Sequence, residues 1–141
     1  MVSDGADAES RCPSGGRCVV SAPAPARRRA YRWGLGAESR AAAALSLKAY
    51  RILGRRVRTG AGEIDLVAKR GRTIAIVEVK ARATEAAALE AVGSRSQTRI
   101  VRAAAVWLAQ NPRYGDHTIR FDIIAVMPGR WPVHVVNAFE A

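Results

Sequence analysis

Apolar and polar positions follow two different periods along this chain. From Trp33 to about Tyr50 alanine is dense, and Glu38, Ala41, Ala42, Leu45 and Ala49 recur at helical spacing, which predicts a first helix. Tyr50 to Arg58 reads as a strand that Gly60-Ala61-Gly62 interrupts. Glu63 to Lys69 and Thr73 to Arg82 are rich in Val and Ile and predict a second and a third strand. Arg70-Gly71-Arg72 marks a tight turn between them. Ala83 to Gly93 fits a loop with a short helical turn. Ser94 to Gln110 places Ile100, Ala104, Trp107 and Leu108 on one face, a second helix that Asn111-Pro112 ends. Ile119 to Met127 is a further strand, Pro128-Gly129 turns the chain, and Trp131 to Ala138 is a last strand. The order predicts an α/β domain in which helices flank a mixed sheet in three layers. Residues 1–30 are rich in Ser, Gly, Ala, Pro and Arg, show no apolar period, and read as a disordered tail ahead of a domain over 31–141.

A chain of 141 residues, 49% of them hydrophobic, suits one domain with a layered core. No run approaches the ~18 apolar residues of a membrane span. Met1 to Ser10 is polar and acidic, unlike a secretory leader, so a cytoplasmic home and no membrane partner are expected. Cys12 and Cys18, with no further Cys or His nearby, do not make a zinc pattern and read as free thiols. No Gly-rich phosphate loop and no Ser-His-Asp set is visible. The net charge is +11. Residues 1–32 hold six arginines against three acids, which is +3 and leaves +8 on the remainder. The basic excess therefore belongs to the folded part, and nucleic acid is the partner it favours.

The predicted hairpin carries the chemistry. Side chains alternate faces along a strand, so Glu63, Asp65 and Val67 share one face, as do Ile76, Glu78, Lys80 and Arg82. A two-residue Gly71-Arg72 turn of type II′ sets Arg70 opposite Thr73, Val67 opposite Ile76, Asp65 opposite Glu78 and Glu63 opposite Lys80. Ile64, Leu66, Val77 and Val79 then face the core. Opposed like charges with Cβ atoms ~5 Å apart are destabilising. A shared hard cation, Mg²⁺ or Mn²⁺, would relieve them. Lys80 beside Glu78 suits stabilisation of charge on a phosphate under attack by water. Glu38 lies on the packing stripe of the first helix, where a carboxylate needs a partner or a metal.

Plainer readings stand beside this one. The alternating charges also fit a solvated sheet face, Glu63 with Lys80 a simple ion pair, and Glu38 a favourable charge near a helix start at Gly36. Arg58, Arg82, Arg95, Arg99 and Arg102 are candidate phosphate contacts; Arg95, Arg99 and Arg102 share one helical face, which a solvated face explains equally well. Asp122 reads as a structural partner for an arginine such as Arg120. His117 and His134 stand isolated and read as structural.

Gly62-Glu63-Ile64-Asp65-Leu66-Val67-Ala68 followed by Val77-Glu78-Val79-Lys80-Ala81-Arg82 resembles the YraN-like family of small uncharacterised bacterial proteins. Gly36-Ala37-Glu38, Arg99-Ile100 through Leu108, and Arg120-Phe121-Asp122 fit its remaining motifs, and the likeness covers roughly residues 34–127. That family is similar to PD-(D/E)XK nucleases and to Holliday-junction resolvases. The resemblance implies a restriction-endonuclease-like core around a four-stranded mixed sheet. It implies Asp65, Glu78 and the Val79 carbonyl as metal ligands, Lys80 as the residue that positions water, Glu38 as an accessory ligand, and Gln97 as an accessory polar residue. Two positions depart from the family: Ser96 stands where a lysine is usual, and Ala49 where a glycine is usual. The expectation is a metal-dependent endonuclease acting on DNA, including branched DNA. A two-fold junction would suit a homodimer. The rivals are a binding module of the same fold that does not cut, and an interaction domain whose charges only solvate it.

Overall fold

The computed structural model describes the backbone of residues 10–11, 17–18 and 25–141, and side chains from Gly36 onward. Most of the stretch read as a disordered tail, and the thiols of Cys12 and Cys18, lie outside that description. Within it, Ser10–Arg11 pairs antiparallel with Arg17–Cys18. The chain divides into Met1–Arg32 and Trp33–Ala141, and the second unit carries every candidate residue.

A first helix, α1, spans Pro25–Leu47. It starts earlier than its apolar stripe suggests, with Pro25 at its first position, where the missing N–H is harmless. Its end is set by backbone geometry. Tyr50 N–H donates to the Leu45 carbonyl at 3.0 Å and Ala49 N–H to the Ser46 carbonyl at 3.1 Å. These are the paired bonds of a Schellman motif, and Ala49 takes the left-handed position at φ 65°. Ala49 is therefore exposed outside the helix and not part of its buried stripe. A glycine, the residue the resemblance implies here, would take that φ without steric cost.

Five strands follow: β1 (Arg51–Thr59), β2 (Gly62–Arg70), β3 (Thr73–Ala81), β4 (Thr118–Val126) and β5 (Val133–Phe139). They form one sheet in chain order. The β3–β4 pair is parallel and the others are antiparallel. Parallel pairing needs a long crossover. It is supplied by α2 (Glu85–Glu90) and α3 (Ser94–Gln110), then a 3-10 turn at Pro112–Tyr114. Thr84 caps α2 through a bond from Ala87 N–H, which resolves the ambiguous stretch after β3 as a short helix. The sheet has one strand more than the resemblance implies, with β5 added at the edge.

Both faces of the sheet are covered. Ala37, Ala41, Ala42 and Leu45 of α1 pack with Leu66, Ala68, Ala75, Val77 and Ile124. Ile100, Ala103, Ala104 and Trp107 of α3 pack with Ile64, Val67, Ile74, Ile76 and Phe121. Two-sided cover explains the nearly continuous Val and Ile runs of β3 and β4. It also corrects one expectation. Leu66, Val77 and Val79 lie on the α1 side as expected, but Ile64 packs on the α3 side. Face alternation breaks between Ile64 and Leu66, at Asp65.

Candidate metal and nucleic-acid site

The hairpin turn behaves as its glycine requires. Gly71 has φ 60°, and the ladder runs from Arg70 opposite Thr73 through Val67 opposite Ile76 to Leu66 opposite Val77. It stops one step short of Asp65 and Glu78. Beyond that point the Asp65 side chain replaces a backbone partner, its Oδ2 accepting from Val79 N–H at 2.8 Å. The Glu78 side chain is close enough to Asp65 to act on its proton. Two carboxyls thus meet where the strands part, and Glu78 is 5% exposed.

Burial first, then the charge of Glu78, pushes the Asp65 carboxyl from 3.8 up to about 7, against the lowering effect of Val79 N–H. Glu38 adds a further push in the same direction. A half-buried carboxyl whose proton affinity is raised by desolvation and by a second carboxyl is an arrangement a cation would relieve.

Lys80 Nζ lies 3.2 Å from Glu78 Oε1, with its side chain 22% exposed. It does not pair with Glu63. Glu63 sits opposite Arg58 on β1, and their side chains approach to 3.5 Å. The physical reason is the end of the β2–β3 ladder: past Leu66, β2 continues to pair with β1 alone, so the expected Glu63–Lys80 partnership has no ladder to hold it.

Glu38 is placed mid-helix, since α1 begins at Pro25, so the helix-start reading is wrong. Its carboxylate accepts from Arg56 Nε at 2.8 Å. A carboxylate on the packing stripe needs a partner or a metal, and the structure supplies a partner. No sequence signal singled out Arg56 among the arginines of β1. Its φ of 47°, a conformation unusual for a side-chain-bearing residue, is visible only in the structure.

Gln97 does not reach the carboxyls: its Nε2 donates to the Val92 carbonyl at 3.1 Å. Arg82 is exposed and folds back on the Ala81 carbonyl. Arg95, Arg99 and Arg102 are exposed along α3 and line one groove. The larger cavity, about 400 Å³, is apolar, bordered by Leu108, Phe121 and Phe139, and contains none of the candidate residues.

A second polar cluster is structural. Asp122 is fully buried and accepts from Arg120 Nε at 2.8 Å, from Arg120 Nη2 at 2.7 Å and from Asn137 N–H at 2.9 Å; His134 Nε2 lies 2.7 Å from it. Arg120 also reaches the Tyr50 hydroxyl, and Lys48 approaches His134 Nδ1 at 3.3 Å. Burial alone would raise the Asp122 carboxyl, but the bonds from His134, Arg120 and Asn137 outweigh it and bring it to about 2. The Arg120 partnership is the one expected. His134, read as isolated, is a member of this cluster; its place opposite Ile124 on β5 comes from tertiary pairing that no local pattern encodes.

Among the described residues no three His, Cys, Asp or Glu side chains gather closely enough to form a metal cage. Two carboxylates and a nearby backbone carbonyl suit instead an ion that keeps much of its own water, as Mg²⁺ does.

Comparison with known proteins gives a consistent set of likenesses. The profile described as "Uncharacterised protein family UPF0102" matches residues 37–126. The chain is 55% identical over 121 residues to a UPF0102 protein of Mesorhizobium japonicum, covering 86% of this chain and 97% of the relative. It is 54% identical over 115 residues to one from a Chelativorans species, covering 82% and 93%. It is 51% identical over 118 residues to one from Methylorubrum extorquens, covering 84% and 92%.

Proposed function

The chain belongs to UPF0102, the YraN-like family of uncharacterised proteins, and from that premise we propose that it is a metal-dependent endonuclease hydrolysing phosphodiester bonds of DNA. The observation that carries the reading is the meeting of Asp65 and Glu78 where β2 and β3 part, with Lys80 beside them. A solvated sheet face would not set a half-buried carboxyl beside a buried one.

In this reading Asp65, Glu78 and the Val79 carbonyl hold Mg²⁺ or Mn²⁺. The ion, when bound, supplies positive charge against the phosphate and lowers the pKa of water. Val79 N–H orients the Asp65 carboxylate through Oδ2. Glu78 holds the Lys80 ammonium at 3.2 Å, which keeps that cation poised to stabilise charge developing on the phosphate. Glu38 serves as an accessory carboxylate once its bond to Arg56 opens; until then it raises the proton affinity of Asp65. Glu63 serves the fold of the β1–β2 hairpin through Arg58, and Gln97 the start of α3 through Val92. Branched DNA as substrate and a homodimer matched to it belong to the same proposal.

The test is cleavage. Purified protein is incubated with linear, flapped and four-way DNA in Mg²⁺ or Mn²⁺, beside Glu78→Ala and Lys80→Ala. The expected result is metal-dependent cutting of at least one substrate, reduced about 100-fold or more in both variants, the loss typical of a removed electrostatic stabiliser. Binding without cutting on every substrate, with both variants binding like wild type, returns the protein to the class of non-catalytic binding modules.

A further inference from the structure

The β1–β2 turn and the first half of α3 enclose a groove of about 340 Å³ lined by Ala61, Ser94, Arg95, Thr98, Arg99 and Arg102. Three arginines line it, the Thr98 hydroxyl beside them donates to the Ser94 carbonyl at 3.0 Å, and no acidic residue lines it. None of the three arginines makes an ion pair among the described residues, so no side-chain counter-charge faces the groove. Concentrating like charges in a concavity without counter-charge is unfavourable unless an anion occupies it.

The groove is also shaped by a backbone constraint. Gly62 closes the β1–β2 turn at φ 149°, and a Cβ there would lie 2.9 Å from Arg99 Cγ. The aliphatic stem of Arg99 therefore lies directly over the glycine, and a side chain there would displace it. Thr59 Oγ1 accepts from both Ala61 N–H and Gly62 N–H and holds the turn in this shape. Gly62 opens the strand that carries Asp65 three residues later, about 10 Å along the chain. The groove and the carboxyl pair are thus built on one strand.

We propose that this groove binds a non-scissile backbone phosphate of the nucleic acid, and that Gly62 is a positioning residue that seats Arg99 for it. The inference rests on the nuclease reading for the identity of the polyanion and deepens it by locating where the strand is gripped. Guanidinium forks match carboxylate and phosphate alike; phosphate is chosen because the nuclease reading supplies a phosphodiester backbone three residues along the same strand, and polyglutamate competition decides between the two. Contacts of this kind fix register on the duplex and carry no sequence information. Arg58, engaged by Glu63, and Arg82, folded on its own carbonyl, are not part of the groove.

The test separates grip from cutting. Binding of the full chain to a fluorescent duplex is measured in EDTA from 50 to 300 mM salt, for wild type, Arg95→Gln, Arg99→Gln, Arg102→Gln and Gly62→Ala. Arg113→Gln, which removes the same charge from an exposed residue outside the groove, is the control. The log–log salt slope is expected to fall by about 0.9 for each phosphate that is no longer neutralised. Arg99→Gln should show this fall and the control should not. Gly62→Ala should weaken binding about as much as Arg99→Gln and add nothing in the Arg99→Gln background, which a merely structural effect of Gly62 would not reproduce. Wild-type slopes in all three arginine variants overturn the proposal, as do an equal fall in Arg113→Gln or equal competition by polyglutamate. Glu78→Ala distinguishes the two readings. Unchanged groove slopes with Glu78-dependent cutting sink only the groove; reduced slopes without any cutting sink only the nuclease.

Discussion

Asp65 holds its proton to about pH 7 in the folded chain, against 3.8 ordinarily. Between those values the folded state binds more protons than the unfolded one, so this group's contribution to stability is full below pH ~4 and is lost as pH rises through 7. Metal-free protein should therefore unfold at lower denaturant at pH 8 than at pH 5. Asp65→Asn should flatten that dependence and stabilise the protein at pH 8 by ~1–3 kcal/mol. Equal or lower stability of Asp65→Asn at pH 8 in chemical denaturation would mean that Asp65 and Glu78 do not repel as described. Asp122 acts in the other direction. Its carboxyl, brought to about 2 by His134, Arg120 and Asn137, stabilises above ~4 and loses that effect only in acid. Breaking its buried cluster with Asp122→Ala should destabilise by ~3–5 kcal/mol at neutral pH, read by the same denaturation. That Asp65, Glu78 and Lys80 come together was legible in the sequence because the turn at Gly71 is a local rule, although the ladder itself ends at Leu66. Arg56, His134 and Tyr50 were not, because their partners lie 18, 12 and 70 residues away.

The elements themselves were readable where one period ran unbroken. Ser94–Gln110 coincides with its predicted span, and each strand of the main sheet lies within two residues of its predicted limits. The failures occur at ends and irregularities. The ladder between β2 and β3 stops at Leu66, so counting register outward from the turn overshoots from the Asp65–Glu78 pair onward. The stripe of α1 runs on into Ala49 by spacing, but a Schellman end removes it. That end makes its own prediction. Relief of left-handed strain at Ala49 is ~1–2 kcal/mol, and the freer unfolded chain of a glycine offsets ~0.4–1 of it. Ala49→Gly should therefore raise stability by ~0.5–1 kcal/mol, a thermal midpoint increase of a few degrees by calorimetry. A lowered midpoint would mean that Ala49 is not held at positive φ in solution.

For the molecule as a whole, a sheet buried on both faces leaves few positions for polar chemistry. Those that remain lie where strands separate or turns begin. The carboxyl pair occupies the parting of β2 and β3, and the arginine groove occupies the turn that precedes β2. In the proposed reading, the charge of +8 outside residues 1–32 draws polyanions to the domain and the groove is where a phosphate is held. No helix of the described residues is long and apolar enough to cross a membrane. The central claim is that Asp65 and Glu78 together hold a divalent cation, and Mn²⁺ titration calorimetry near pH 7 tests it most directly. Run in two buffers of different ionisation heat, it should show one ion bound per chain with release of a proton from Asp65, and no binding in Glu78→Gln. Millimolar Mn²⁺ without binding, or binding of equal strength in Glu78→Gln, would contradict it.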